Sequence, residues 1–282
     1  MRCILHIGPH KTGTTSIQTA LAGKFGSGSE IVYPESGPGP GHARIAWESL
    51  GLNSNVEDPE KLVQIASEYS DKGASTLILS SEEFSKGLFG ECRSIKNLAN
   101  RFDVELVVTL TPLSDRVVSL LFERIKHKET FRVFDTAQLI TLCSTSPGLR
   151  GDFVTRALTV CKWKRVHFII CDKNKPRILF KSFEDIIGAN VGTVRKRNKQ
   201  YPYFKSIILN ELNRYYKKEN LLLLRELADD AYGVISNRFP EVENGNFDEL
   251  PVDLRAHLDQ IWNSQVCFLE ILSSLGAVSL YK

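Results

Sequence analysis

Eight residues near the amino terminus, Gly8-Pro9-His10-Lys11-Thr12-Gly13-Thr14-Thr15, hold the parts from which an anion site is made. Gly8 and Gly13 let the backbone approach a ligand closely, Lys11 supplies a point charge, and Thr14 and Thr15 offer hydroxyls. A loop of this kind works when it joins a strand to a helix, because backbone N–H groups and the helix dipole then converge on negative charge. Spacing narrows the ligand. A nucleoside-triphosphatase loop reads GxxxxGK and then Ser or Thr, with lysine directly after the second glycine and a hydroxyl for Mg²⁺. Lys11 instead stands two residues before Gly13, which argues against an ATP–Mg²⁺ site and leaves a different phosphate-bearing donor.

The elements needed to position the loop are legible on either side. Arg2 to Ile7 is a short apolar run of strand length, and Ile17, Ala20 and Leu21 recur at helical spacing after Thr14. From Gly23 to Gly41 the chain is rich in Gly, Ser and Pro, which excludes a regular element and predicts a mobile surface loop. Asp58-Pro59 has the form of a helix start. Strands are expected at Thr76 to Leu79, Val104 to Leu110 and Val166 to Ile170, with helices near Ile95 to Arg101 and from Val117 to Ile125. Alternation of this type gives a parallel sheet with crossover helices. Leu-rich stretches at Ile207 to Tyr216, Leu221 to Tyr232 and Leu254 to Leu275 predict a mostly helical C-terminal part. The expected architecture is α/β, a P-loop-type parallel β-sheet flanked by helices, in a single domain over 1–282. Residues 1–171 would form the core, and 172–282 a basic loop and the helical part.

The run His6-Ile-Gly-Pro-His-Lys-Thr-Gly-Thr-Thr-Ser-Ile-Gln18 resembles the opening of bacterial sulfotransferases that use 3'-phosphoadenosine 5'-phosphosulfate (PAPS). Leu77-Ile-Leu-Ser-Ser-Glu-Glu-Phe84 is similar to their second strand and following turn. Val107-Val-Thr-Leu-Thr-Pro-Leu-Ser-Asp-Arg-Val-Val-Ser119 resembles the strand and helix that hold the nucleotide 3'-phosphate through an arginine and a serine. Ser119 matches that serine. Thr111 stands where the arginine is expected, and Arg116, three residues before Ser119, is a candidate replacement from the same helical face. Arg195-Lys196-Arg197 resembles the basic loop that closes over the 3'-phosphate. The resemblance thus implies PAPS as donor and PAP as product, held by Gly8, Pro9, His10, Lys11, Thr12, Gly13, Thr14, Thr15, Arg116, Ser119, Arg195, Lys196 and Arg197.

Sulfuryl transfer passes through a loose transition state, so a protein mainly aligns the groups and stabilises charge on the departing phosphate. Lys11 is the candidate for that charge, and no metal is required beside it. A hydroxyl or amine acceptor must also lose a proton to a general base. His42, after Tyr33-Pro34, is the first candidate because imidazole titrates near neutrality. Glu82 and Glu83 are the alternatives, His10 is placed to shape the acceptor end, and His6 reads as core.

Bulk properties set the remaining bounds. Hydrophobic residues make up 42% and charged residues 24% of the 282, the balance of an ordinary globular chain. A net charge of +3 is too small to imply a nucleic-acid partner. Six cysteines lie scattered without metal-type pairing, which fits reduced thiols and a cytoplasmic location. No apolar run reaches the length of a spanning helix or a signal-peptide core. The expected partner is a small-molecule, carbohydrate or lipid acceptor. A P-loop kinase-like phosphotransferase and a catalytically inactive nucleotide-binding relative are the competing readings.

Overall fold

The computed structural model describes residues 1–9, 12–26, 28–53, 56–126, 149–150, 152–171, 177–192 and 252–282. His10, Lys11, Arg195, Lys196 and Arg197 lie outside the described residues, as do the helices expected between 207 and 232.

Six strands form one parallel sheet: β1 (Arg2–Ile7), β2 (Ile31–Val32), β3 (Thr76–Ser80), β4 (Asp103–Leu110), β5 (Arg165–Ile170) and β6 (Ser279–Tyr281), in the order β2-β3-β1-β4-β5-β6. The helices among the described residues are α1 (Thr14–Lys24), α2 (Ala43–Leu50), α3 (Lys61–Asp71), α4 (Phe84–Gly87), α5 (Arg93–Arg101), α6 (Leu113–Lys126), α7 (Phe153–Thr159), α8 (Arg177–Ile187) and α9 (Val252–Ser274). The α/β class and the helical C-terminal segment are those expected. No helix is long and apolar enough to cross a membrane among the described residues.

The central strands are apolar on both faces, as parallel strands covered by helices must be. On one face Ile4, Ile78, Val107 and Ile169 pack beneath α1 and α8 through Ile17, Leu21, Leu179 and Phe183. On the other side of the chain's alternation, Cys3, Leu5, Ile7, Leu77, Leu79, Leu106 and Val108 are also buried. Helices α2, α3, α4 and α5 pack among themselves, and α5 packs on β4.

Two expected boundaries moved. β2 lies inside the Gly/Ser/Pro-rich segment expected to hold no regular element: Ile31 and Val32 pair with Thr76 and Leu77, so the neighbouring strand supplies the order that the local sequence lacks. Asp58 does not cap α3 directly, because the helix begins at Lys61 and the Asp58 carboxylate instead accepts the Glu60 N–H at 3.1 Å in a tight turn.

Two compact units make up the chain. The first comprises residues 1–111, 146–196 and 261–282 and contains the whole sheet; the second comprises 112–145 and 197–260. Within the second, the Ser114 hydroxyl donates to Asp259 at 2.9 Å and so ties α6 to α9.

Candidate functional site

In the sheet order, the chain leaves β1 toward β2 on one side, and leaves β3 toward β4 on the other, passing β1. Loops that diverge in this way open a crevice at the carboxyl ends of the strands, the usual ligand position of open α/β sheets. Gly8, Ser81, Glu82 and Thr111 all follow strand ends there.

Gly8 is required by its surroundings. A Cβ at this position would stand 2.1 Å from the Thr109 hydroxyl oxygen, 2.7 Å from that of Thr12 and 2.8 Å from the Thr14 methyl. Gly13 has φ 83°, a left-handed conformation that favours glycine, and it serves as the N-cap of α1 with no side-chain cap. Gly13 thus offers the first N–H groups of α1 no side-chain cap of its own, and the N-terminus of a helix is a place where backbone N–H groups can meet an anion.

Beneath the loop lies a buried polar ladder whose hydrogens can be placed by elimination. The Thr12 hydroxyl donates to the Pro9 carbonyl at 2.8 Å and so must accept from Thr109 at 3.0 Å. The Thr109 oxygen in turn accepts from His6 Nε2 over a long 3.4 Å, and His6 Nδ1 accepts from the Ser80 hydroxyl at 2.7 Å. His6 is thereby a neutral imidazole protonated at Nε2. Complete burial pushes its pKa down to about 3, and Phe183 packs against its ring edge-on at 4.7 Å between centroids. The expected core role of His6 holds, and the structure adds that its two nitrogens connect β3 and β4 under the loop.

His42, the first candidate base, is engaged on both nitrogens. The Ser80 N–H donates to Nδ1 at 2.8 Å, which leaves the proton on Nε2, and Nε2 donates to the Pro34 carbonyl at 2.7 Å. Burial holds its pKa down at about 4, against a smaller upward pull from the Pro34 bond. With 1% of its surface exposed and no nitrogen left to accept a proton, His42 clamps the segment after β2 to β3. Tyr33 supports it, with ring centroids 4.2 Å apart.

Glu82 has the opposite character. It is half-buried, and its two carboxylate oxygens accept from one helix: Thr14 donates to Oε1 and Gln18 Nε2 to Oε2 at 3.2 Å. Gln18 is buried and wedged by the Gly/Pro loop, since a Cβ on Gly41 would meet its amide at 2.7 Å. A carboxylate placed at the start of α1 also gains from the helix dipole. Glu83 is taken up by Lys86, 2.5 Å away, and its N–H donates to Ser81.

The expected 3'-phosphate residues divide between the units. Thr111 is buried at the end of β4 in the first. In the second, Arg116 is 1% exposed and Ser119 is half-buried, one turn apart on α6. An arginine in that setting is not an ordinary solvated helix charge, because guanidinium groups are rarely buried without specific partners.

Sequence reasoning missed Thr109, Ser80 and Gln18. Thr and Ser in strands are commonplace, and Gln18 carried a signal only through its i, i+4 spacing from Thr14. Comparison of the chain with protein-family models, with curated proteins and with solved structures gave no match.

Proposed function

We propose that this chain is a sulfotransferase that moves a sulfuryl group from PAPS to a hydroxyl or amine of a small-molecule, carbohydrate or lipid acceptor. The observation that carries the reading is Glu82, a carboxylate set on Thr14 and Gln18 at the start of the helix that follows the lysine-bearing loop. In this reading Glu82 takes the proton from the acceptor, whose hydroxyl oxygen or amine nitrogen forms the new bond to sulfur. The bond from sulfur to the 5'-phosphate oxygen breaks, and PAP departs with the electron pair. In this reading Lys11, the Thr15 hydroxyl and the first N–H groups of α1 stabilise the developing negative charge, while the Thr14 hydroxyl keeps its proton on Glu82. Gly8, Pro9, Thr12 and Gly13 give the loop its course; the resemblance assigns His10 to the acceptor end and Arg116, Ser119, Arg195, Lys196 and Arg197 to the 3'-phosphate. Glu82 replaces His42 as the base because its carboxylate stands at the loop while both His42 nitrogens are bound to backbone.

One rival has specific support. A loop hydroxyl and a carboxylate drawn together, as Thr14 and Glu82 are, is also how Mg²⁺-nucleotide phosphotransferases assemble a metal site. The position of Lys11 favours sulfuryl transfer. Thermal denaturation with ligands separates the two, since a ligand that binds the native state raises Tm. PAP is expected to raise Tm more than ATP with Mg²⁺ does; a larger shift with ATP–Mg²⁺ selects the phosphotransferase.

A further inference from the structure

Seven residues beyond Glu82, past α4, Phe89 carries an arrangement that the transfer chemistry does not use. Two guanidinium groups lie against its ring, Arg150 at 4.6 Å and Arg156 at 4.9 Å from the centroid. Phe153 stacks beside Phe89 with centroids 6.3 Å apart and planes 25° from parallel. Like charges on one aromatic platform repel, and here one carboxylate holds both. Asp152 accepts Nε and Nη2 of Arg150, each at 3.0 Å, and Nε of Arg156 at 2.6 Å.

Asp152 occupies the N-cap of α7, where aspartate ordinarily accepts a helix N–H, yet it makes no such bond. Its carboxylate orients arginines instead. A local rule broken in this way is expected at functional positions more than at structural ones. Two cations share one anion, so the patch keeps one positive charge, and Nη1 and Nη2 of Arg156 engage no acceptor among the described residues. The arginine side chains are 39% and 41% exposed, which leaves those donors open to a ligand.

We propose that Arg150 and Arg156, mounted on Phe89 and oriented by Asp152, form a recognition subsite for an oxyanion: a carboxylate, sulfate ester or phosphate ester on a larger molecule. A planar guanidinium fork matches all three oxyanions. If the sulfotransferase reading above holds, the molecule is the acceptor, and this chain modifies acceptors that already carry a negative group. The path from Glu82 to Phe89 runs through hydrogen-bonded turns and α4, so at about 1.5–2 Å per residue the two lie roughly 10–14 Å apart. One end of an acceptor can then rest on the arginines while a hydroxyl at its other end meets Glu82.

Calorimetry on the full chain with glucose, glucuronate, glucose 6-sulfate and glucose 6-phosphate tests the subsite with no donor present, so its outcome is independent of whether sulfuryl transfer occurs. At least one charged sugar is expected to bind about tenfold or more tightly than glucose, and the one with the largest margin identifies the oxyanion. Arg156→Gln should remove that margin, Phe89→Leu should reduce it with both arginines retained, and Lys11→Ala should leave it in place. Equal binding of all four sugars overturns the proposal. So does a margin that survives Arg156→Gln in a folded protein, or one that vanishes in Lys11→Ala, which would locate the anion at the loop.

Discussion

The two ends of the sheet solve the same problem in opposite ways. At the amino end Arg2 donates to both oxygens of Glu105, at 2.9 and 2.7 Å, and to the Ile186 carbonyl at the end of α8. His167 Nε2 meets the same carboxylate at 2.9 Å, and the Glu105 pKa falls to about 2 because these bonds outweigh the upward effect of burial. At the carboxyl end, on the same face of β1 and β4, the buried groups are the neutral ladder Ser80, His6, Thr109 and Thr12. Only the apolar layer of Ile4 and Val107 separates the two. Full charges that cancel suit an end whose task is to hold α8 onto the sheet. Neutral groups at the other end add no charge of their own where the loop and α1 follow β1.

The contrast is sharpest in two glutamates. Glu82→Gln should lower turnover by about 10²- to 10⁴-fold, the usual range for a lost general base, with little change in denaturation midpoint. Glu105→Gln should do the reverse, costing about 2–3 kcal/mol of stability, discounted from a fully buried pair because Arg2 is partly exposed. Steady-state rates and urea midpoints on both variants decide it; a Glu105 variant that loses turnover as a folded protein would erase the distinction between the ends.

Acid should separate the ends next. His6 and His42 fold with pKa values near 3 and 4, below the ordinary 6.5, so the unfolded chain takes up their protons first. Their contribution is whole above about pH 6.5 and is lost as pH falls from there toward 4, at up to about 1.4 kcal/mol per pH unit for each group. Glu105 is also depressed, from 4.5 to about 2, so its contribution disappears only below pH 4.5. Urea midpoints should therefore decline between pH 6.5 and 5, and less so in His6→Gln. A flat profile over that interval would mean that the imidazoles are not held neutral.

How much of this was legible depended on what kind of signal a residue leaves. β1, β3, β4 and β5 announce themselves as apolar runs, and the loop announces itself through Gly8, Lys11 and Gly13. β2 does not, because two residues among glycines and serines are strand only by virtue of β3. His42 was found by type and position, whereas its role rests on a carbonyl eight residues before it and an N–H 38 residues after it, neither of which leaves a mark in local sequence. Arg116 was picked out by its spacing from Ser119, but its burial arises from packing. Thr109 is invisible for a simpler reason: threonine is at home in any strand.

The smallest expected effect belongs to the ladder itself. Thr109→Val removes the hydroxyl between His6 and Thr12, for a loss of about 1 kcal/mol in stability. PAP affinity should fall with it, because Thr12 and the Pro9 carbonyl lose their fixed register under the loop. A variant that loses stability alone, with PAP affinity unchanged by calorimetry, would reduce the ladder to a core packing element.

Transfer of label from radiolabelled PAPS to a panel of hydroxylated acceptors tests the central claim most directly. Labelled product is expected from the parent protein, with a rate about a hundredfold or more lower in Lys11→Ala, the typical effect of removing one preorganised charge stabiliser, at unchanged Tm. Label that reaches no acceptor while the γ-phosphate of ATP does, or a Lys11→Ala protein as fast as the parent, would contradict it.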